Sequence, residues 1–331
     1  MGIFPVLPSR RGLQLSANHY ATDYHAPVLV EEVLEQLGVR QGARIVDGTA
    51  GGGGHSQAIL DASGPDGQLL AIDRDPEAVQ EVRERLHEYG DRVTVIQGNY
   101  SKVPRILDEL GWEPVDGWLV DAGVSSHQLD DPERGFSFRE GGPLDMRMGP
   151  DTRSLAELFE EIDATELARI FYEYGEVRGS RPLARWIYEL WEQGKLQDTA
   201  DLAAAVQARR PRRHDQSIHP ATLVFQALRI AVNRELEHLE EAVEAIPRVV
   251  RPGGRAVFIS FHSLEDRIIK HGFRRLEDPC TCPPDFPVCG CGAISKGKVI
   301  TKRPLVASQE ELQRNPRARS AKLRAFAVAH P

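Results

Sequence analysis

The sequence lacks any apolar run long enough to cross a membrane. Its 331 residues contain no stretch close to the roughly 18 consecutive apolar residues of a membrane-spanning helix. The first twenty residues contain Arg10 and Arg11 but no apolar core, so we predict no secretory signal peptide. These absences predict a cytoplasmic protein that does not bind membranes, with residues 1–24 as a flexible extension.

Cysteine is scarce, and its placement is uneven. The chain has four cysteines, all in one short window: Cys280, Cys282, Cys289 and Cys291. Such clustering in a cytosolic protein favours metal binding over disulfides. The C-x-C pairs nevertheless differ from the usual C-x₂-C pairs of a zinc ribbon. The sequence therefore favours reduced thiols in a proline-rich loop over a zinc cluster, and no metal is predicted.

Positive charge is in the minority, since 41 lysines and arginines face 49 aspartates and glutamates. The net charge of −8 by itself argues against a nucleic-acid partner, but the average hides clusters of basic residues. Local basic stripes on an acidic protein can follow a phosphate backbone. The residues of two such stripes, near residue 210 and within 296–324, are our predicted RNA contacts: Arg209, Arg210, Arg212, Arg213, Arg317, Arg319 and Lys322.

Glycine is concentrated at residues 47–56, with the sequence DGTAGGGGHS. A carboxylate at a strand end, then glycines, then a helix start is how a βαβ unit receives a nucleotide-like ligand. The dinucleotide pattern fits poorly, because Ser56 stands where its third glycine belongs. The loop of S-adenosylmethionine-dependent methyltransferases fits Asp47, Gly51 and Gly53. The glycine pattern alone also leaves open the alternative that this segment is an ordinary tight turn without a ligand.

Three predicted strands end in an aspartate, namely Asp47, Asp73 and Asp121. The carboxyl ends of parallel strands meet at one edge, where open α/β sheets bind ligands. Asp73 follows the glycines by about 20 residues, as does the acid that takes a ribose diol in nucleotide sites. An acidic edge suits the sulfonium and ammonium groups of S-adenosylmethionine and would repel a pyrophosphate.

Strand and helix patterns alternate along the first part of the chain. Strands are predicted at 44–46, 68–72, 93–96 and 117–120, with a helix at 76–89, which indicates a parallel sheet. Residues 130–233 are helical only, and a long helix is predicted over 221–250. Strands resume at 256–261 and 323–328. We therefore expect an α/β fold, with a Rossmann-like sheet from 25–129 and 234–331 and an inserted all-helical substrate-recognition domain at 130–233.

A series of longer motifs carries a family resemblance. They are DAGVSSHQLD at 121–130, RGFSF at 134–138, LDMRM at 144–148, HPAT at 219–222, FQALRIAVN at 225–233, SFHSLEDR at 260–267 and NPRARSAKLR at 315–324. In this order they resemble the bacterial 16S rRNA cytosine-N4 methyltransferases, the RsmH (MraW) family. The resemblance covers nearly the whole chain after His25. It implies S-adenosylmethionine-dependent methylation of a cytidine in the decoding (P-site) region of the small ribosomal subunit.

The resemblance also implies which residues bind the cofactor. They are Gly53, Gly54, His55, Asp73, Tyr100, Asp121 and Gln128. Tyr100 stands where the family usually has phenylalanine, and either ring can cover an adenine. Ala50 and Ala122 stand where leucine is common.

The catalytic group is a separate question, because the Asp/Asn-Pro-Pro-aromatic signature of amino methyltransferases is missing. DAGV at 121–124 takes its place. The lone pair of the exocyclic amine is delocalised, so we expect a polar group to orient the amine and take a proton. The base would be extruded from its stack. Our candidates are Asp121, then Ser125, Ser126 and His262, with helix capping as the alternative role of His262.

Three competing functions stay open on the sequence. They are a nicotinamide dehydrogenase, a methyltransferase for small molecules or proteins, and an RNA-binding module without activity. The dehydrogenase would need the third glycine of the dinucleotide turn. A methyltransferase for small molecules or proteins would not need the basic stripes.

Overall fold

The computed structural model describes Tyr20 and residues 26–210, 219–283 and 290–330. Of the predicted extension at 1–24, only Tyr20 is among the described residues. Arg212, Arg213 and Cys289 lie outside them. No described helix combines the length and the apolar character needed to cross a bilayer.

Seven strands form one sheet, in the order β3-β2-β1-β4-β5-β7-β6. The first five in this order are parallel, and β7 runs antiparallel between β5 and β6. The strands are β1 (Arg44–Asp47), β2 (Gln68–Asp73), β3 (Val93–Gln97), β4 (Val115–Asp121), β5 (Val250–Ser260), β6 (Gly297–Val299) and β7 (Lys322–Val328). Each predicted strand is present, and β6 was not predicted. The Rossmann-like α/β fold is confirmed.

The helices that flank the sheet follow the strands along the chain. They are α1 (Val30–Leu37), α2 (Gly54–Ser63), α3 (Pro76–Arg85), α4 (Val103–Leu110), α5 (Ser126–Asp130), α11 (Glu235–Val249), α12 (Ser263–Glu277) and α13 (Gln309–Arg314). The start of α3 shows how the sequence sets these bounds. Asp75 accepts a hydrogen bond from the Glu77 amide at 3.1 Å, and Pro76 occupies the first turn, where no amide hydrogen is needed.

Five helices follow one another between α5 and α11. They are α6 (Leu155–Glu161), α7 (Ala164–Glu173), α8 (Ser180–Glu192), α9 (Thr199–Arg209) and α10 (Pro220–Asn233). A capping box joins Ser154 and Glu157 at the start of α6. These helices share an apolar core distinct from the two that cover the sheet, in which Phe159 stacks on Trp191 at 5.2 Å between ring centroids.

The prediction of one long helix over 221–250 is wrong, because the structure has two helices there, α10 and α11. Arg234 separates α10 from α11 in a left-handed conformation, with φ 51° and ψ 39°. Side-chain hydrogen bonds explain the break. The Asn233 amide accepts from the Met148 backbone at 2.9 Å and donates to the Met146 carbonyl at 2.7 Å. The end of the helical segment is thereby tied back to its beginning.

Two arginines connect the helical segment to the sheet. Arg74, just after β2, donates to Asp151 at 3.0 Å and to the Asn233 carbonyl at 3.1 Å. Arg134 donates to Asp75, the buried cap of α3, at 2.8 Å. The contacts of both arginines lie beside the carboxyl edge of the parallel strands, where the sequence predicts the ligand site.

Candidate active site

The glycine turn after β1 has a fixed shape, and buried Asp47 helps to hold it. The Asp47 carboxylate accepts from the Ser56 hydroxyl at 2.7 Å and from the Thr49 amide at 3.2 Å. Gly53, the residue that caps the start of α2, has φ 77°. Residues with a side chain disfavour this left-handed conformation. A Cβ on Gly54 would lie 2.7 Å from Pro27. The turn therefore requires glycine at both positions, for different reasons.

This turn borders a cleft at the carboxyl edge of the sheet. Most of the predicted cofactor residues line it: Gly54, His55, Asp73, Tyr100, Asp121 and Gln128. Gly51 lines it as well. Gly53 is not among the lining residues in the described part of the chain. A Cβ on Gly53 would point at the Arg85 side chain, 3.0 Å away, so the role of this glycine is in the backbone conformation.

Asp73 ends β2 and is oriented by two backbone amides. One carboxylate oxygen accepts from Gly51 at 2.8 Å and the other from Asp75 at 2.9 Å. Burial raises the pKa of Asp73 to about 6, and the two backbone hydrogen bonds only partly oppose this. Each oxygen keeps a free lone-pair direction for a hydroxyl donor.

Asp121 and His55 face each other across the cleft without a hydrogen bond. Asp121 Oδ2 lies 3.8 Å from His55 Nδ1, while His55 Nε2 donates to the Val28 carbonyl at 2.7 Å. Burial lowers the pKa of His55 to about 4, so the ring is neutral and the pair is not a salt bridge. Burial, then the charges of Asp47 and Glu265, raise the pKa of Asp121 well above its ordinary value.

Asp121 Oδ1 is buried and has no hydrogen-bond partner among the described residues. A buried carboxylate oxygen of this kind is destabilising unless a donor or a cation satisfies it. The sulfonium and ammonium of S-adenosylmethionine supply positive charge, and the ammonium also supplies donors. The residues present therefore fit this cofactor.

Ser125 and Gln128 hold the first turn of α5. Ser125 Oγ accepts from the Gln128 amide at 3.2 Å, and Gln128 Oε1 accepts from the Ser125 amide at 3.0 Å. Gln128 Nε2 also donates to Asp75 at 2.7 Å. Of the two serine candidates, Ser125 lines the cleft, and Ser126 is absent from the lining among the described residues.

A second cleft adjoins the first, and Phe261 lines both. His262 lies in this second cleft and caps α12, since its Nδ1 accepts from the Glu265 amide at 3.4 Å. The capping alternative is therefore what the structure has. His262 Nε2 lies 3.1 Å from Glu265 Oε1, at an angle that makes no hydrogen bond. The ring thus borders the second cleft while its orientation is fixed by the cap.

Two buried glutamates near His262 were not singled out on the sequence. Glu265 accepts from the Phe261 amide at 2.7 Å. Burial alone would raise the pKa of Glu265, but His262 and the charge of Arg229 more than offset this and lower it. Glu235 pairs with Arg229 through two contacts of 2.9 Å. The helix cap after β5 was a usable signal for Glu265, whereas Glu235 was hidden inside the helix predicted over 221–250.

The predicted RNA contacts are partly engaged within the protein. Arg317 pairs with Asp130 at 2.7 Å on the rim of the second cleft, and Lys322 lies 3.6 Å from Asp266. Arg319 is exposed. The Arg209 guanidinium lies 4.2 Å from the Trp186 ring centroid, and Arg210 follows it at the end of α9.

Known proteins match this chain along most of its length. The MraW methylase family matches residues 22–329. The ribosomal RNA small subunit methyltransferase H of Geobacter sulfurreducens is 51% identical over 305 residues, covering 91% of this chain and 97% of that protein. The protein of the same name from Anaeromyxobacter dehalogenans is 50% identical over 302 residues, covering 91% and 96%.

These matches decide between the dinucleotide and methyl-donor interpretations of the glycine turn. A nicotinamide dehydrogenase is excluded, and the expected methyltransferase fold and cofactor are confirmed. The chain belongs to the MraW methylase family, and its methyl donor is S-adenosylmethionine.

Proposed function

We propose that the protein methylates the exocyclic N4 amine of a cytidine in the decoding region of small-subunit rRNA, within the ribosomal small subunit in the cytoplasm. The observation that carries this proposal is the pair of adjoining clefts that meet at Phe261. One cleft is acidic and suits a cationic cofactor. The other lies against the helical segment and has arginines for a phosphate backbone. The names of the relatives point to small-subunit rRNA as the substrate.

The cofactor supplies an electrophilic methyl group. Asp73 would accept the ribose hydroxyls, and Tyr100 would cover the adenine. Asp121 Oδ2 and His55 Nδ1 lie 3.8 Å apart and are two acceptors that the ammonium would bridge. Gln128 would act mainly by fixing α5, because its amide and carbonyl are already hydrogen-bonded.

The second cleft would receive the extruded base. Phe138 and Phe225 line it with their ring centroids 4.9 Å apart, and Arg229 and Arg317 line it as well. Aromatic faces stack on an extruded base, and arginines bind the flanking phosphates. Phe261, shared by both clefts, would separate the base from the adenine of the cofactor.

Asp121 would then orient the amine and take its proton. A carboxylate oxygen that accepts one amine hydrogen favours withdrawal of the lone pair from the ring, and the same oxygen can accept the proton when the new bond forms. Asp121 Oδ1 has no partner among the described residues and would take this contact once the base is bound, and burial raises the pKa of Asp121, which favours its accepting a proton. Ser125 and His262 would position the loop and the base. Ser126 remains a candidate that the cleft geometry does not favour.

The decisive experiment is methyl transfer from radiolabelled S-adenosylmethionine to undermethylated small ribosomal subunits, followed by nucleoside analysis. We expect the label in N4-methylcytidine. Label in another nucleoside, in ribosomal protein or in no subunit component would contradict the proposed substrate. Naked rRNA in a parallel reaction shows whether assembly is needed.

The role of Asp121 is tested separately, in a single-turnover reaction. We expect Asp121→Asn to lower the rate at saturating cofactor on the order of 10²-fold or more. Asp91→Asn changes an exposed aspartate outside the cleft and is the matched control. A near-normal rate in Asp121→Asn would move the role of proton acceptor to another group.

A further inference from the structure

Three cysteine side chains come together in the loop between α12 and β6. The sulfur atoms of Cys280, Cys282 and Cys291 all lie within 4.8 Å of one another. Cys280 and Cys291 are exposed, and Cys282 is half-buried. Apolar burial therefore does not explain why these side chains converge.

The spacing of the sulfurs matches a tetrahedral metal site. Cys280 Sγ and Cys291 Sγ are 3.8 Å apart. With zinc–sulfur bonds of about 2.3 Å, two thiolates on a tetrahedral zinc lie about 3.8 Å apart. A disulfide would need sulfurs about 2 Å apart. One pair of sulfurs thus has the separation of two ligands on one ion, and the third sulfur lies within 4.8 Å of both.

The backbone on both sides of the loop is anchored independently of the thiols. The Lys296 amide donates to the Leu276 carbonyl at 2.7 Å, and the Val299 amide donates to the Glu277 carboxylate at 3.1 Å. On the other side, the Cys280 amide donates to Asp278 at 3.3 Å. The loop therefore starts and ends close together, at a neck formed by residues 276–278 and 296–299. This neck brings Cys280 and Cys282, on one side of the loop, within reach of Cys291 on the other side.

We propose that Cys280, Cys282 and Cys291 bind a zinc ion that fixes the loop between α12 and β6. Three thiolates form a soft ligand set, and zinc favours tetrahedral sites of this type. The geometry here outweighs the unusual C-x-C spacing, which favoured reduced thiols on the sequence. Cys289 lies outside the described residues, and the three described thiols alone define the site.

The site is structural, because it is remote from the cleft. Helix α12 begins at Ser263, beside the second cleft, and its fifteen residues extend roughly 22 Å to Glu277 at the neck of the loop. The zinc ion would hold the neck and the edge strand β6, which has three residues and pairs only with β7 in the described sheet. Loss of the ion should therefore loosen this edge and leave cofactor binding intact.

The test uses the full chain purified under reducing conditions, with metals measured by mass spectrometry. We expect about one zinc per chain, and a cobalt-substituted protein with intense thiolate-to-cobalt charge-transfer absorption. Cys280→Ser and Cys291→Ser should each lower the zinc content at least about tenfold and increase proteolysis of the loop. Thr281→Ala, between two of the thiols, is the control and should keep the metal.

The outcomes are separable even where a variant fails to fold, because the unmodified protein gives the metal content and the cobalt spectrum. Folded, reduced protein that takes up no zinc in a titration would overturn the proposal. So would a disulfide between these cysteines found by intact mass, or stoichiometric iron or copper in place of zinc. Cofactor affinity should change less than about twofold in the cysteine variants, since the cleft lies at the other end of α12.

Discussion

At the scale of single residues, three buried aspartates at the ends of neighbouring strands have different tasks. Asp47 is fully buried and stabilises the glycine turn from below. Asp73 and Asp121 line the cleft itself and face the ligand. The same environment that makes these carboxylates costly to ionise makes them strong partners for a cation, because water competes weakly there.

The first residue-scale prediction concerns Asp73. Replacing Asp73 by asparagine removes the charge and one acceptor, and a hydrogen bond to a charged group contributes about 1.5–3 kcal/mol. We therefore expect Asp73→Asn to weaken binding of S-adenosylmethionine about ten- to a hundredfold in isothermal titration calorimetry. Asp91→Asn should bind normally. Unchanged affinity in a folded Asp73→Asn protein would exclude the ribose role.

The second residue-scale prediction concerns pH. Burial raises the pKa of Asp47 and of Asp73 to about 6 and also raises that of Asp121, and the cation favours the ionised forms. Affinity for S-adenosylmethionine should therefore fall as pH is lowered through about 6, by about tenfold per pH unit for each coupled carboxylate, and binding should release protons in that range.

Calorimetry in buffers of different ionisation enthalpy measures that proton release directly. S-Adenosylhomocysteine, which lacks the sulfonium charge, is the matched control ligand and should show a weaker pH dependence. Equal pH profiles for the two ligands would show that the carboxylates do not respond to the sulfonium.

At the scale of elements, the junction between α10 and α11 places Glu235 beside Arg229 and the cleft. A non-glycine residue in a left-handed conformation is disfavoured by about 1 kcal/mol or more. Arg234 keeps that conformation because Asn233 on one side is held by backbone groups of residues 146–148. The junction is therefore a position where tertiary contacts prevail over local preference.

This reasoning predicts a reversal between glycine and alanine. Arg234→Gly should be more stable than Arg234→Ala by about 1 kcal/mol, because glycine accepts a positive φ without strain. At exposed Glu240, within α11, the order should invert, with alanine more stable by about 1 kcal/mol. Urea unfolding of the four variants measures both differences. The same order at both positions would mean that the left-handed conformation is not maintained in solution.

The sequence predicted those elements whose pattern is local. The parallel strands carry runs of aliphatic residues, and caps such as Ser154 with Glu157 mark helix starts. The edge strand β6 has three residues and too short a pattern to be recognised. The break at Arg234 depends on a contact with residues 146–148, far away in the sequence, so helical periodicity continued across it.

The same distinction applies to the site. Six of the residues that the motif resemblance selected line the cleft, Asp73 and His55 among them. The resemblance could not show that Gly53 is outside the cleft lining. The direction in which a Cβ at this position would point depends on the turn that the whole loop adopts. Nor could it show that three cysteines with unusual spacing would converge, because their approach depends on anchors at Leu276 and Glu277.

At the scale of the whole molecule, the acidic protein carries clusters of basic residues on two separate segments. If Arg319 contacts a phosphate, Arg319→Ala should weaken binding of the small subunit and lower the slope of log affinity against log salt by about 0.7–0.9. Arg105→Ala removes an exposed arginine of α4, outside both segments, and should leave the slope unchanged. Filter binding over a range of salt measures both. A flat salt response of the unmodified protein would remove phosphate binding from its function.

The tie from Asn233 to Met146 and Met148 has a consequence for how the chain folds. Strands β4 and β5 are neighbours in the sheet, yet the whole helical segment lies between them in the sequence. An unfolded connection of that length makes strand pairing entropically unfavourable, and each halving of the effective loop lowers this penalty by about 0.6 kcal/mol. A helical segment that closes on itself early joins its own ends and acts as a short loop. Pairing of β4 with β5 should therefore be easier once the five helices have packed together.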